Sequence, residues 1–279
     1  MAGSTTIHRY GAGPEGALVN AYLIEGPDAV VIVDGTLTIA NARALRRRAD
    51  ELGKPIAGVI VTHAHPDHYG GIVEVVGDDD LQVIATKAVD GVIRRDDELK
   101  ESILRPMFGE EWPHHRKFPT ATVEDGELVE IGGIALRVLD LGPGESPADS
   151  VWTLEKDPRL VFVGDQVYNH MHAYLADGFY EQWLQHLSKL EDDLPRDAVL
   201  HMGHGVPGDV SLIPWQKGYI DAFVGAVQDA DWNQPEAARA GVVAEAKRFL
   251  GTDDLLFLME LSVDAVAMKL GLLPPEDTV

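Results

Sequence analysis

Two spacings of apolar positions alternate along the chain. Short apolar runs closed by turn residues predict strands over 17–24, 29–33, 57–62 and 82–85. Gly26-Pro27-Asp28 between the first two is turn chemistry and predicts a hairpin. The spacing lengthens to the helical period over 41–52, which stops at Gly53, and again over 68–76. The first half therefore alternates strand and helix.

The second half repeats this layout. Runs over 128–131 and 134–139 flank Gly132-Gly133 as a hairpin, and strands over 151–155 and 160–163 flank the turn Lys156-Asp157-Pro158-Arg159. Residues 179–192 place Trp183, Leu187 and Leu190 on one helical stripe, and 198–201 is a last short strand. Helices then follow over 215–231, 236–250 and 254–270, with Tyr219, Phe223 and Val227 on one face. Two sheet-forming halves with helices outside predict a layered α/β sandwich closed by a helical tail.

Composition narrows the class. With 45% hydrophobic and 25% charged residues, a chain of 279 residues is neither disordered nor fibrous. There is no cysteine, which excludes disulfides, thiolate metal sites and a cysteine nucleophile. The formal net charge of −23 argues against nucleic acid or an anionic membrane as partner. The runs Asp78-Asp79-Asp80 and Arg46-Arg47-Arg48 read as solvated surface. No basic segment followed by an apolar run opens the chain, and no window could span a bilayer, so a cytoplasmic location is expected.

The chemistry concentrates in His63-Ala64-His65-Pro66-Asp67-His68. Four potential ligands in six positions directly follow the buried-type strand Val59-Ile60-Val61-Thr62. A strand end with a tight turn can aim such side chains at one point, and imidazole with carboxylate suits zinc, iron or manganese. Other catalytic schemes are missing. Gly142-x-Gly144 lacks the third glycine of a dinucleotide fingerprint, and neither a P-loop nor a Gly-x-Ser-x-Gly elbow occurs.

His63-x-His65-x-Asp67-His68 resembles the signature of the metallo-β-lactamase fold superfamily. So do Asn20-Ala21-Tyr22-Leu23-Ile24, Val33-Asp34-Gly35, Gly70-Gly71, Phe162-Val163-Gly164-Asp165 and Gly203-His204-Gly205 in their order, over residues 17 to about 210. The resemblance implies a four-layer αββα sandwich, with a catalytic core over 1–212 and a helical extension over 213–279 packed on it. It implies two divalent ions, zinc first and iron or manganese as alternatives. His63 and His65 would take one ion, Asp67, His68 and His204 the other, and Asp165 would bridge them. Family members use such a pair to hold a water or hydroxide, and Asp67 would orient it or relay its proton.

One position departs from the pattern. Where the family usually carries a third histidine for the first ion, this chain has Gly142-Pro143-Gly144-Glu145-Ser146. Glu145 as an oxygen ligand would lower the formal charge of the loaded cluster from +1 to zero. That makes it a weaker Lewis acid and tilts the preference from zinc toward iron or manganese. Glu145→His is expected to change both metal identity and bound-water acidity. Some diiron oxygenases on this fold resemble the chain in having glutamate there, so oxidative chemistry is the competing reading. Hydrolysis of a small ester, thioester or lactone is the expected activity. A degenerate metal-binding relative would not keep so complete a ligand set.

The remaining histidines and aromatics have plainer readings. His114-His115 reads as a surface loop and His201 as a strand end, while His8 and His186 read as surface or packing residues. His170 and His172, with Tyr168 and Asn169, follow Asp165 closely enough to reach the pocket, and one of the two histidines could even serve as a ligand. Tyr69 either lines the pocket or packs beneath it. Trp183 reads as core. Phe108, Trp112, Tyr174 and Phe179 are candidate pocket walls, and the tail is a candidate lid or homodimer surface.

Overall fold

The strand residues sort by parity onto opposite faces. In the computed structural model, which describes residues 5–77 and 80–274, they build two six-stranded sheets. The first runs β1 (Thr6–Gly11), β2 (Asn20–Glu25), β3 (Val30–Val33), β4 (Ile56–Ile60), β5 (Gln82–Thr86) and β6 (Ala121–Val123) in spatial order. It is antiparallel through β3 and parallel from there on. The second contains β7 (Leu128–Ile131), β8 (Ile134–Gly142), β9 (Asp149–Leu154), β10 (Leu160–Gly164), β11 (Val199–Met202) and β12 (Gly208–Asp209), also neighbours in chain order. Only its β10–β11 pair is parallel.

Tyr22, Ile24, Val31, Val33 and Ile60 point inward and meet Leu136, Val138, Trp152 and Phe162 of the second sheet. Their neighbours Ala21, Leu23, Val30, Ile32 and Val59 point outward under helices α1 (Ile39–Asp50), α3 (Ile72–Val76) and the start of α4 (Lys87–Phe108). This is the period-two alternation of a sheet covered on both faces. Val151, Val161, Val163, Leu200 and Met202 form the other outer face. They lie under α5 (Tyr180–Asp193) and the tail helices α6 (Leu212–Asp229), α7 (Pro235–Phe249) and α8 (Leu256–Lys269). The chain is thus a four-layer αββα sandwich with C-terminal helices. No described helix is long and apolar enough to cross a membrane.

Several expectations need correction. The strand expected over 17–24 begins only at Asn20, because Ala17 and Leu18 turn through left-handed backbone after a 3-10 turn. The helix expected over 68–76 is two short pieces, α2 (Pro66–Tyr69) and α3, broken at Gly70-Gly71. A Cβ on Gly71 would lie 2.5 Å from the Gly35 carbonyl oxygen, so the close approach of this turn to the end of β3 requires glycine. Strands β1 and β12 and the 22-residue α4 were not expected at all. Asp78 and Asp79 of the acidic run, like residues 1–4, lie outside the described residues.

Candidate metal centre

Both sheets deliver side chains to one place through loops at their strand ends. The turn after β4 and the short α2 carry His63, His65, Asp67 and His68. The β8–β9 loop carries Glu145, the end of β10 carries Asp165, and the segment after β11 carries His204. Two isolated backbone bridges, His63 with Asp149 and Val19 with His204, tie the halves together at this point.

The seven residues expected as ligands come together in two groups. Ligand atoms of His63, His65 and Glu145 lie within 4.8 Å of one another, and those of Asp67, His68, Asp165 and His204 do so too. Glu145 Oε2 is 3.0 Å from His65 Nδ1 and 3.7 Å from His63 Nε2. Asp165 stands between the groups. Its Oδ2 is 3.1 Å from His204 Nε2 and 3.8 Å from His63 Nε2, and its Oδ1 is 3.4 Å from His68 Nε2. Asp67 Oδ2 is 3.2 Å from His204 Nε2.

On His63, His65 and His68 the nitrogen facing away from the centre is held by a neighbour. Asp34 Oδ1 accepts from the Thr62 amide, and its Oδ2 accepts from the Thr62 hydroxyl and contacts His68 Nδ1 at 2.8 Å. Since Thr62 gives its hydrogen to Asp34, its oxygen is left to accept from His63 Nδ1 at 3.0 Å. One buried carboxylate therefore fixes the tautomers of His63 and His68 so that both Nε2 lone pairs face inward. Asp177 does the same for His65, meeting its Nε2 at 2.8 Å and leaving Nδ1 inward. Asp34 has φ of 64°, a strained conformation of the kind that collects at functional sites.

The centre fits metal ions by a further test. His63 Nε2, His68 Nε2, His204 Nε2, Glu145 Oε2 and Asp165 Oδ1 are buried and make no aligned hydrogen bond. Buried polar atoms are normally paired, and five convergent exceptions of both ligand types match the demands of a cation pair.

Without cations, protons do part of that work. Burial resists charge on His204, but Asp165 and Asp67 outweigh it and push the imidazole up to about 9. Burial likewise resists charge on His65 and His68, and Glu145 beside the first and Asp165 and Asp34 beside the second raise both well above the usual histidine range. Burial pushes Glu145 up to about 7. Cation binding must expel these protons, so apparent affinity should rise with pH, the part owed to His204 ending near 9. Calorimetry of zinc binding near pH 7.5 should give heats that vary with buffer ionisation enthalpy. Buffer-independent heats would contradict this.

The other residues separate clearly. Tyr168 is buried with its hydroxyl against Glu145 and Asp165, and the Tyr174 ring stands edge-on to His65 at 5.2 Å. Trp112 is not a pocket wall: it is fully buried behind α2, against Gly70, and donates to Glu101. Tyr69 packs beneath the centre in the outer core. His172 lies between the Tyr219 hydroxyl and the Thr252 carbonyl, and His170 is exposed beside Trp215, so neither joins the cluster. Phe108 and Phe179 are half-buried, Phe108 packing against the outer core of the second sheet. His114 and His115 are exposed, as expected, and Trp183 is core.

The family model for the metallo-β-lactamase superfamily matches residues 15–204, more than half of the chain. Curated relatives include a hydroxyacylglutathione hydrolase from Rhodopseudomonas palustris, 27% identical over 66% of this chain and 61% of its own length. Another, from Nitrobacter hamburgensis, is 27% identical over 65% and 60%. The chain thus spans only about three fifths of the length of these relatives. Among solved structures, a β-lactamase domain protein from Burkholderia ambifaria superposes with a TM-score of 0.68 at 20% identity, covering 98% of this chain and 91% of its own. A metallo-β-lactamase family protein from Thermus thermophilus gives 0.67 at 22% identity, covering 95% and 94%.

Proposed function

The chain belongs to the metallo-β-lactamase superfamily, and from that premise we propose that it is a dinuclear metal-dependent hydrolase of a small thioester. Lactones and oxygen esters are the nearest alternatives. The single observation that carries the reading is the pair of adjoining ligand groups with inward-facing, unpartnered donors. The names of the relatives, acyl-glutathione hydrolases, favour a thioester carbonyl.

His63, His65 and Glu145 would hold one divalent ion and Asp67, His68 and His204 the other, with Asp165 between them. When bound, the ions supply Lewis acidity toward the carbonyl and make water more acidic. The side chains do the rest. Asp34, Thr62 and Asp177 keep the imidazoles in one tautomer. Asp67 is the least buried carboxylate of the set, with 16% side-chain exposure, so it faces the entrance where water and substrate arrive. There it orients the attacking water and accepts its proton. Tyr174 forms wall beside His65.

The test is metal quantification on protein purified without chelator, run with a panel of thioester, lactone, ester and phosphodiester substrates. Two zinc or manganese ions with thioester turnover are expected. Chelation should lower that rate at least ~100-fold, a change of roughly 3 kcal/mol, and metal should restore it. Bound iron with oxygen consumption and no hydrolysis would replace this reading with the oxidative one that Glu145 raises.

A further inference from the structure

The two oxygens of Glu145 have different surroundings. Oε2 faces His63 and His65 and has no hydrogen-bond partner, whereas Oε1 meets the Tyr168 hydroxyl at 2.9 Å. That hydroxyl is also 3.0 Å from Asp165 Oδ2. A phenol has one hydrogen and serves one acceptor at a time. Both Asp165 oxygens already face imidazoles of the cluster, so Glu145 Oε1 is the oxygen with no other task.

Tyr168 is itself fixed. Its ring stacks on His204 at 5.2 Å with 5° between the planes, and its backbone amide donates to Gln216 of α6. The backbone beside Glu145 is fixed as well, because Asp149 accepts from both the amide and the hydroxyl of Ser146. What remains free is the glutamate side chain, which has more rotatable bonds than the histidine it replaces. We propose that Tyr168 is a positioning residue: its hydroxyl donates to Glu145 Oε1 and so presents Oε2 alone to the first metal ion. Glutamate at 145 and the phenol at 168 then work as a pair, and a histidine at 145 would have no carboxylate oxygen for the phenol to hold.

The inference rests on the ligand assignment above, and zinc titration of chelator-stripped full-length protein separates the two. Wild type should bind two zinc ions; fewer than two would sink the assignment itself. Tyr168→Phe keeps the ring stack and should weaken one binding step by ~10–100-fold, as loss of a ligand's supporting hydrogen bond typically does, while the other step stays in place. In the Glu145→His background the same replacement should change that step by no more than about 2-fold. Replacing Tyr168 with 4-aminophenylalanine, which retains a donor, should restore most of the affinity in the Glu145 protein. Unchanged zinc binding in Tyr168→Phe, or equal weakening in both backgrounds, would overturn the proposal. If Tyr168→Phe does not fold, the 4-aminophenylalanine protein decides: weakening of both steps alike would also overturn it.

Discussion

Asp165→Asn is expected to lower hydrolysis by at least ~1,000-fold, about 4 kcal/mol of transition-state stabilisation, and to leave one or both metal positions unfilled. Among the described residues, Asp165 is the one carboxylate close to imidazoles of both ligand groups. Burial opposes its ionisation, but His204, His68 and His63 outweigh burial and hold it well below the usual carboxylate range. Asparagine preserves the shape and removes the charge. The metal-free variant should also be less stable, with a definite pH window. A depressed carboxylate contributes stability above its unfolded pKa, near 3.9. A raised histidine contributes stability below its unfolded pKa and loses it as pH rises through the folded value, about 9 for His204. The deficit should therefore be largest between about pH 4 and 6.5 and shrink as pH rises from there toward about 9, where His204 gives up its proton. Melting curves of chelator-stripped protein across pH, beside activity and metal content, check it. Near-normal turnover with two bound ions would refute the bridging role.

How much of this was legible beforehand depended on distance along the chain. The motif 63–68 puts four ligand types within six residues, and no packing information is needed to see that. The alternation of Val30, Val31, Ile32 and Val33 between two cores is local as well. Asp34 and Asp177 are different. They lie 34 and 112 residues from the histidines they orient, and a single aspartate after a strand or in a loop carries no mark of such a role. Tyr168 was noticed only for being near Asp165; its contact with Glu145 spans 23 residues and depends on how the β8–β9 loop folds back.

The missed elements have a common cause. Helix α4 buries only Val89 and Ile93 fully, and most of its later turns are charged or exposed, including Asp97, Glu98, Lys100 and Glu101. Its stability comes instead from the Thr86 cap, the i,i+4 pairs Asp90–Arg94 and Glu101–Arg105, and the ties from Arg116 to Asp97 and Glu101. A reading by apolar period passes over a helix built that way. Strand β1 is similar: it pairs only with β2 at the edge of its sheet, so Thr6-Ile7-His8-Arg9 never forms an apolar run.

Gly203→Ala is the second large expected effect, and it tests the packing beneath the centre rather than its charges. A Cβ at Gly203 would lie 1.8 Å from Asp165 Oδ1 and 2.5 Å from His68 Cε1. Neither neighbour has room to yield. His68 is fully buried and held by Asp34, and Asp165 is buried among the imidazoles of His63, His68 and His204. The methyl must push the Asp165 carboxylate out of line with His204 and His68, the two imidazoles that face it within the second ligand group. Metal-free stability should fall by about 1–3 kcal/mol, the usual cost of overpacking. Activity should fall by more than ~100-fold, because a ligand moved by even an ångström no longer matches its partners. Gly225→Ala is the control. That glycine lies within α6, where an added Cβ meets nothing within 4 Å, so alanine should stabilise the protein by roughly 0.5–1 kcal/mol and leave turnover unchanged. If Gly203→Ala kept both its melting temperature and its two metal ions, Asp165 and His68 could not be packed as tightly as this structure has them.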